Sequence, residues 1–212
     1  MDEGSLRAAL VAAGRRLAAH GLVVGAEGTL SVRLDAGTLL VTPSGRRKDE
    51  LGGGDLLVVP LDATRASMAP GASAARPSSD IAIHRAIYEA RSDVAAVAHA
   101  HVPASMALTL VGEEPDPAVL PETALLLPRL PVVPFGAPGS RELAALVATA
   151  FTAPPEPHAD AVLLERHGAI AVGASIESAV DRLDLVDVLC RVWRDARLLA
   201  PSRRPGPPVP AP

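Results

Sequence analysis

The stretch DVAAVAHAHVP (residues 93–103) sets two histidines one residue apart inside a run of alanine and valine. Its reading decides the fold around it. A short apolar run ended by proline predicts a buried strand over 94–102. On a strand, residues i and i+2 leave by the same face, so His99 and His101 are expected to project together.

The flanking segments alternate between strand and helix signals. Upstream, SLRAALVAAGRRLAAHG (5–21) carries Leu6, Leu10, Ala13 and Leu17 at helical spacing and stops at Gly21. TLSVRL (29–34), TLLVTP (38–43) and DLLVVPL (55–61) read as short strands, followed by a loop over 62–77. SSDIAIHRAIYEAR (78–91) predicts a helix with a serine cap. Downstream, PASMALTL (103–110) predicts a helix opened by proline, and a loop rich in Pro and Glu follows. The strand LPVVPF (130–135), the helix SRELAALVATAF (140–151) and the strand–turn–strand AVLLERHGAIAVG (161–173) come next. Residues 175–199 form the clearest amphipathic helix, with Ile176, Ala179, Val180, Leu183, Val186, Cys190 and Trp193 inside. This order predicts an α/β class with hairpins, in one domain over 1–200. The tail, residues 201–212, is half proline and is expected to be disordered. No internal repeat is visible.

Composition narrows the function. The chain has 212 residues, 49% apolar but only 2% aromatic, so Ala, Val and Leu must build its core. A formal charge of −4 argues against an electrostatic grip on nucleic acid. One cysteine, Cys190, excludes an internal disulfide framework and fits a reducing compartment. The start MDEGSLRAAL lacks a basic region followed by an apolar one, so no secretory signal is read. Residues 94–112 are uncharged for 19 positions, but His99, His101 and Pro103 within them argue against a membrane span. The expectation is a soluble cytoplasmic protein.

Taken alone, an H-x-H pair fits two core histidines bonded to backbone carbonyls better than it fits a metal site. A third histidine changes that balance. His167 sits in the tight turn of LLERHGAIAVG, where Gly168 frees the backbone. Three imidazoles on rigid elements suit zinc or another divalent first-row metal and leave a coordination position open. His20 reads as a helix C-terminal histidine, His158 as a solvated loop residue, and His84 as a partner of Asp80 within one helix. Asp80 itself, at a helix start, reads first as an ordinary first-turn acid. Ser78 and Ser79 before it, together with the turns EGTLS and TPSGRRK, offer backbone N–H groups that an anion can use.

In order, GLVVGAEGTLSVR, VTPSGRRKDEL, PSSDIAIHRAIY, DVAAVAHAHVP and LLERHGAIAVG closely resemble the class II aldolase/adducin family, from about residue 5 to about 195. The resemblance implies a three-layer α/β/α sandwich around a mixed, largely antiparallel sheet, and a tetramer with sites between subunits. It implies zinc held by His99, His101 and His167, with a substrate phosphate cradled by Gly28, Thr29, Ser44, Gly45, Ser78 and Ser79. Asp80 falls on the family's catalytic carboxylate, which moves the proton in retro-aldol cleavage through a metal-stabilised enediolate.

Three departures stand out. The family's aldolases usually carry glutamate where Asp80 stands, and PSSD is spelled like its pentulose-phosphate epimerases. Thr29 replaces the usual asparagine after Gly28. The sole tyrosine, Tyr88, lies on the helix after Asp80, although the family's aldolases and epimerases use tyrosines as proton donors, one of them near the C-terminus. Water, a histidine, Glu113, Glu114 or Asp116 would then have to supply the general acid. The leading expectation is a zinc-dependent lyase of a small sugar phosphate or related hydroxyketo compound. An epimerase comes next, then an adducin-like module without chemistry, with relatives that dehydrate or decarboxylate behind.

Overall fold

A computed structural model describes residues 2–62 and 75–200. Most of the loop expected over 62–77, and the proline-rich tail 201–212, lie outside the described residues. Helix α1 (Glu3–Ala19) is capped by Asp2, whose side chain accepts the Ser5 amide at 2.9 Å. Strands β1 (Thr29–Arg33), β2 (Thr38–Val41) and β3 (Leu57–Pro60) follow, then α2 (Ile81–Ala90), β4 (Ala96–Ala100) and α3 (Pro103–Leu110). The second half contains α4 (Pro121–Leu126), β5 (Val132–Val133), α5 (Arg141–Thr152), β6 (Ala161–Leu164), β7 (Gly168–Gly173) and α6 (Ile176–Leu199). Ser140 caps α5, and Ser175 exchanges cap hydrogen bonds with Ser178 at the start of α6.

The seven strands form one sheet in the order β3-β2-β1-β4-β7-β6-β5, antiparallel throughout except for the parallel β5–β6 pair. Successive side chains of a strand leave by opposite faces. In β4, Ala96, Ala98 and Ala100 join a core with α1, α3 and α6, whereas Val97 joins the core under α2 and α5. Ile170 and Val172 of β7 lie on that second face too. The result is the α/β/α sandwich around a mixed, largely antiparallel sheet. The shortage of aromatics is met by small residues on the central strands, which let helices sit close, with Phe151 and Tyr88 the large rings of the α2/α5 core. Among the described residues, no helix is long and apolar enough to cross a membrane.

Several local expectations are corrected. Strand β4 ends at Ala100, so His101 lies just past it and not on it. Helix α2 starts at Ile81, with Asp80 at the capping position and no serine cap; the Ser78 hydroxyl instead accepts the Asp80 amide at 3.3 Å. The Pro/Glu loop after α3 contains the unforeseen α4, opened by Pro121. His84 does not bond Asp80 through its side chain. Its Nδ1 lies 2.7 Å from the Ser31 hydroxyl, because this face of α2 packs on β1. Its helix neighbour one turn on, Tyr88, donates to the Ser31 carbonyl at 3.0 Å. His20 does close α1, where its Nδ1 also meets Asp184 of α6 at 2.8 Å. His158 is drawn to Glu156 at 2.8 Å and is half-buried.

Candidate metal centre

His99 occupies the middle of the sheet, paired with Thr29 of β1 on one side and Ile170 of β7 on the other. It is fully buried and shares its face with Val97, beneath α2. His101 follows immediately, in the two residues between β4 and Pro103 of α3. His167 comes from the β6–β7 turn, whose Gly168 has a φ of 134° and lies against the end of β4.

The three rings converge. Their centroids are 5.2 Å apart for His99–His101, 4.9 Å for His99–His167 and 5.0 Å for His101–His167. One nitrogen from each can be chosen so that all lie within 4.8 Å of one another. Both nitrogens of His99 and Nδ1 of His167 are buried without a hydrogen-bond partner among the described residues. Buried polar atoms are normally satisfied, so such a cluster calls for a ligand. Burial pushes the pKa of all three imidazoles down, which leaves them neutral with lone pairs free. An all-nitrogen set of this shape fits zinc or a similar divalent ion.

Asp80 reaches the same place from the start of α2. Its Oδ2 lies 3.5 Å from His99 Nδ1, and its Oδ1 is buried without a partner among the described residues. Burial raises its pKa, but the contact with the His99 ring and the neighbouring imidazoles outweighs that and lowers it to about 2. The carboxylate is therefore ionised. His84 lies fully buried nearby, and burial brings it down to about 3, so it is a neutral neighbour.

Of the six residues expected to cradle a phosphate, Gly28 and Thr29 lie against β4 beside His99, and Ser78 and Ser79 directly precede Asp80. Gly28, at a φ of 74°, precedes Thr29, whose buried Oγ1 has no partner among the described residues. A Cβ on Gly28 would stand 2.8 Å from the His99 carbonyl oxygen, so this turn closes directly on β4. The Ser44 amide donates to the Arg76 carbonyl at 2.7 Å and Pro43 bridges Pro77. The bridge is antiparallel, so it sets Ser44 opposite Arg76 and not beside Ser78 and Ser79, which lead into Asp80. Two of the acids after α3, Glu113 and Asp116, are engaged elsewhere. Glu113 accepts from Trp193 and Arg197, at 3.1 and 2.7 Å, and Asp116 caps Ala118 at 2.8 Å.

Two residues near the centre escaped the sequence reading. Glu27 Oε2 lies 3.3 Å from His101 Nδ1. Lys48, fully buried, donates through Nζ to the carbonyls of Ala26 and Arg46 at 2.8 and 3.0 Å. Both lie inside the motifs EGTLS and TPSGRRK, but a surface-like charge in a glycine turn carries no sign of what it will face.

The sequence profile described as Class II Aldolase and Adducin N-terminal domain matches residues 8–194. The chain is 33% identical over 206 residues to a 3-oxo-tetronate 4-phosphate decarboxylase of Cupriavidus necator, covering 90% of this chain and 84% of that protein. It is 34% identical over 193 residues to a methylthioribulose-1-phosphate dehydratase of Acidiphilium cryptum, covering 85% of each. Among solved structures, L-fuculose-1-phosphate aldolase from Thermus thermophilus superposes with a TM-score of 0.76 at 29% identity, over 94% of this chain and 98% of that one.

Proposed function

Since the chain belongs to the class II aldolase and adducin family, we propose that it is a metal-dependent lyase. It breaks a carbon–carbon bond beside the carbonyl of a small phosphorylated hydroxyketo compound. The observation that carries this reading is the meeting of three neutral, converging imidazoles with one ionised carboxylate, Asp80. His99, His101 and His167 would hold the metal, with zinc the ion that suits three nitrogen donors. A bound metal supplies Lewis acidity, which spreads the negative charge that bond cleavage leaves beside the carbonyl.

The chain's own residues do the rest. Gly28, Thr29, Ser44, Gly45, Ser78 and Ser79 bind the phosphate through backbone N–H and hydroxyl donors and so orient the scissile bond. In retro-aldol cleavage, Asp80 takes the proton of the substrate hydroxyl as the aldehyde forms. The electron pair of the broken bond passes to the carbon beside the carbonyl. Asp80 then returns the same proton to that carbon, so one ionised carboxylate closes the cycle. Tyr88, bonded to Ser31 beneath α2, takes no part.

A second reading, decarboxylation of a phosphorylated 3-oxo acid, is favoured by the decarboxylase relative at 33% identity. There carbon dioxide leaves with no proton exchanged, and the carbon left behind takes its proton from solvent water. The cytoplasmic tetramer implied by the family resemblance belongs to the same proposal, and light scattering checks its size.

The test is metal content of the purified protein, with cleavage of a ketose phosphate and of a phosphorylated 3-oxo acid measured before and after chelation. Stoichiometric metal with chelator-sensitive cleavage of either substrate supports the lyase, and the substrate identifies the bond. A protein that takes up no metal overturns it.

A further inference from the structure

Glu27 has no task in the chemistry above, and its side chain is 59% exposed. Yet its carboxylate lies 3.3 Å from His101 Nδ1, much as that of Asp80 lies 3.5 Å from His99 Nδ1. In both pairs an acid faces Nδ1 and leaves Nε2 for another partner. A carboxylate in that position selects the tautomer with its proton on Nδ1, fixes the ring's orientation and raises the basicity of the opposite nitrogen. His101 needs such help more than His99 does. It lies past the end of β4 and is a quarter exposed, so no strand pairing holds it.

Glu27 itself is placed by Lys48. The Lys48 ammonium holds the carbonyl of Ala26, the residue before Glu27, and that of Arg46 in the next loop. The backbone of Lys48 is pressed against α1, where a Cβ on Gly14 would stand 2.9 Å from the Lys48 carbonyl oxygen. A buried cation thus clips the turn 24–28 to a fixed point on the sandwich and leaves Glu27 a short reach to His101.

We propose that Glu27 is a positioning residue for the metal centre, which orients His101 from a turn anchored by Lys48. The inference rests on the metal-lyase reading and concerns a residue outside the ligand set.

The experiment is zinc affinity of the full chain, by competition with a chromophoric chelator, alongside melting of the metal-free protein. Glu27→Gln and Glu27→Ala should bind zinc about 10- to 100-fold more weakly than the parent, the scale for losing an outer-shell partner. Glu27→Asp should recover part of that loss, and the metal-free melting temperature should stay put because Glu27 is exposed. Variants that bind zinc as tightly as the parent overturn the inference while leaving the metal reading intact. An equal drop in metal-free melting would make Glu27 merely structural and overturn it too. A parent that binds no zinc fails the metal reading itself, and this inference with it.

Discussion

A Cβ built on Gly168 would stand 2.9 Å from the Cα of His101 and run into the Ala100 carbonyl oxygen. The turn that carries His167 and the strand end that carries His101 therefore meet backbone to backbone. Two histidines from segments 66 residues apart in sequence (167 − 101) are held at a fixed separation by the absence of one methyl group.

Gly168→Ala should strike fold and site together. The φ of 134° alone costs a side chain on the order of 1–3 kcal/mol, and the collision with β4 adds to it. Denaturant unfolding should show at least that loss, and zinc affinity should fall because the His167 turn is pushed off β4. Unchanged stability would mean that the turn can shift freely.

Zinc should stabilise the parent by mass action, by about 2.7 kcal/mol at 100 times the dissociation constant. His99→Leu keeps a side chain of similar bulk opposite Ile170 but removes the central donor. Its melting temperature should not respond to zinc. A full zinc-induced shift in this variant would remove His99 from the ligand set.

Asp80→Asn keeps the size of the side chain and its place at the start of α2. Zinc should still bind through the three imidazoles, more weakly for loss of the carboxylate beside His99, while retro-aldol turnover at saturating zinc should fall by about 10²–10⁴-fold, the usual contribution of a positioned proton carrier. If the substrate is instead a 3-oxo acid, carbon dioxide release should persist in this variant, since Asp80 takes no proton from the departing group. The two outcomes separate the two cleavages.

Lys48 offers a pH-dependent signature. Burial lowers its ammonium from 10.5 to about 8, against the pull of Glu27. Between those values the unfolded chain keeps a proton that the folded one has shed, so this group adds stability as pH rises from about 8 to 10.5. Below about 8 both states are charged and its contribution is flat. Lys48→Met should lack the rise, seen as a parent-minus-variant difference in unfolding free energy between pH 7 and 10.5. A pH-independent difference would place the ammonium in a water-like setting.

Much of the architecture was legible because local patterns and global packing agree. Leu10, Ala13 and Leu17 on α1, and Ile176 to Cys190 on α6, repeat at helical spacing, and both stripes are buried where the pattern put them. The β6–β7 turn was legible from one glycine between two apolar runs. Helix α4 was not, since PETALL is a single short turn whose hold comes from Thr123 bonding the Pro117 carbonyl and from packing near α6. His84 misled for a related reason. The spacing to Asp80 was helical, but Ser31 came to the ring from across the sheet.

The order of strands and helices, the three histidines as a set and Asp80 at a helix start were determined by sequence, because periodicity, capping and turn chemistry act over a few residues. Only tertiary structure decided which atoms of those residues meet. Sheet register sets Thr29 and Ile170 beside His99, and close backbone contact through Gly168 brings His167 to His101. A buried ammonium at Lys48 delivers Glu27 to the same imidazole. Such contacts join segments far apart in the chain, and their geometry follows from pairing and packing of the whole sandwich, which no local pattern encodes.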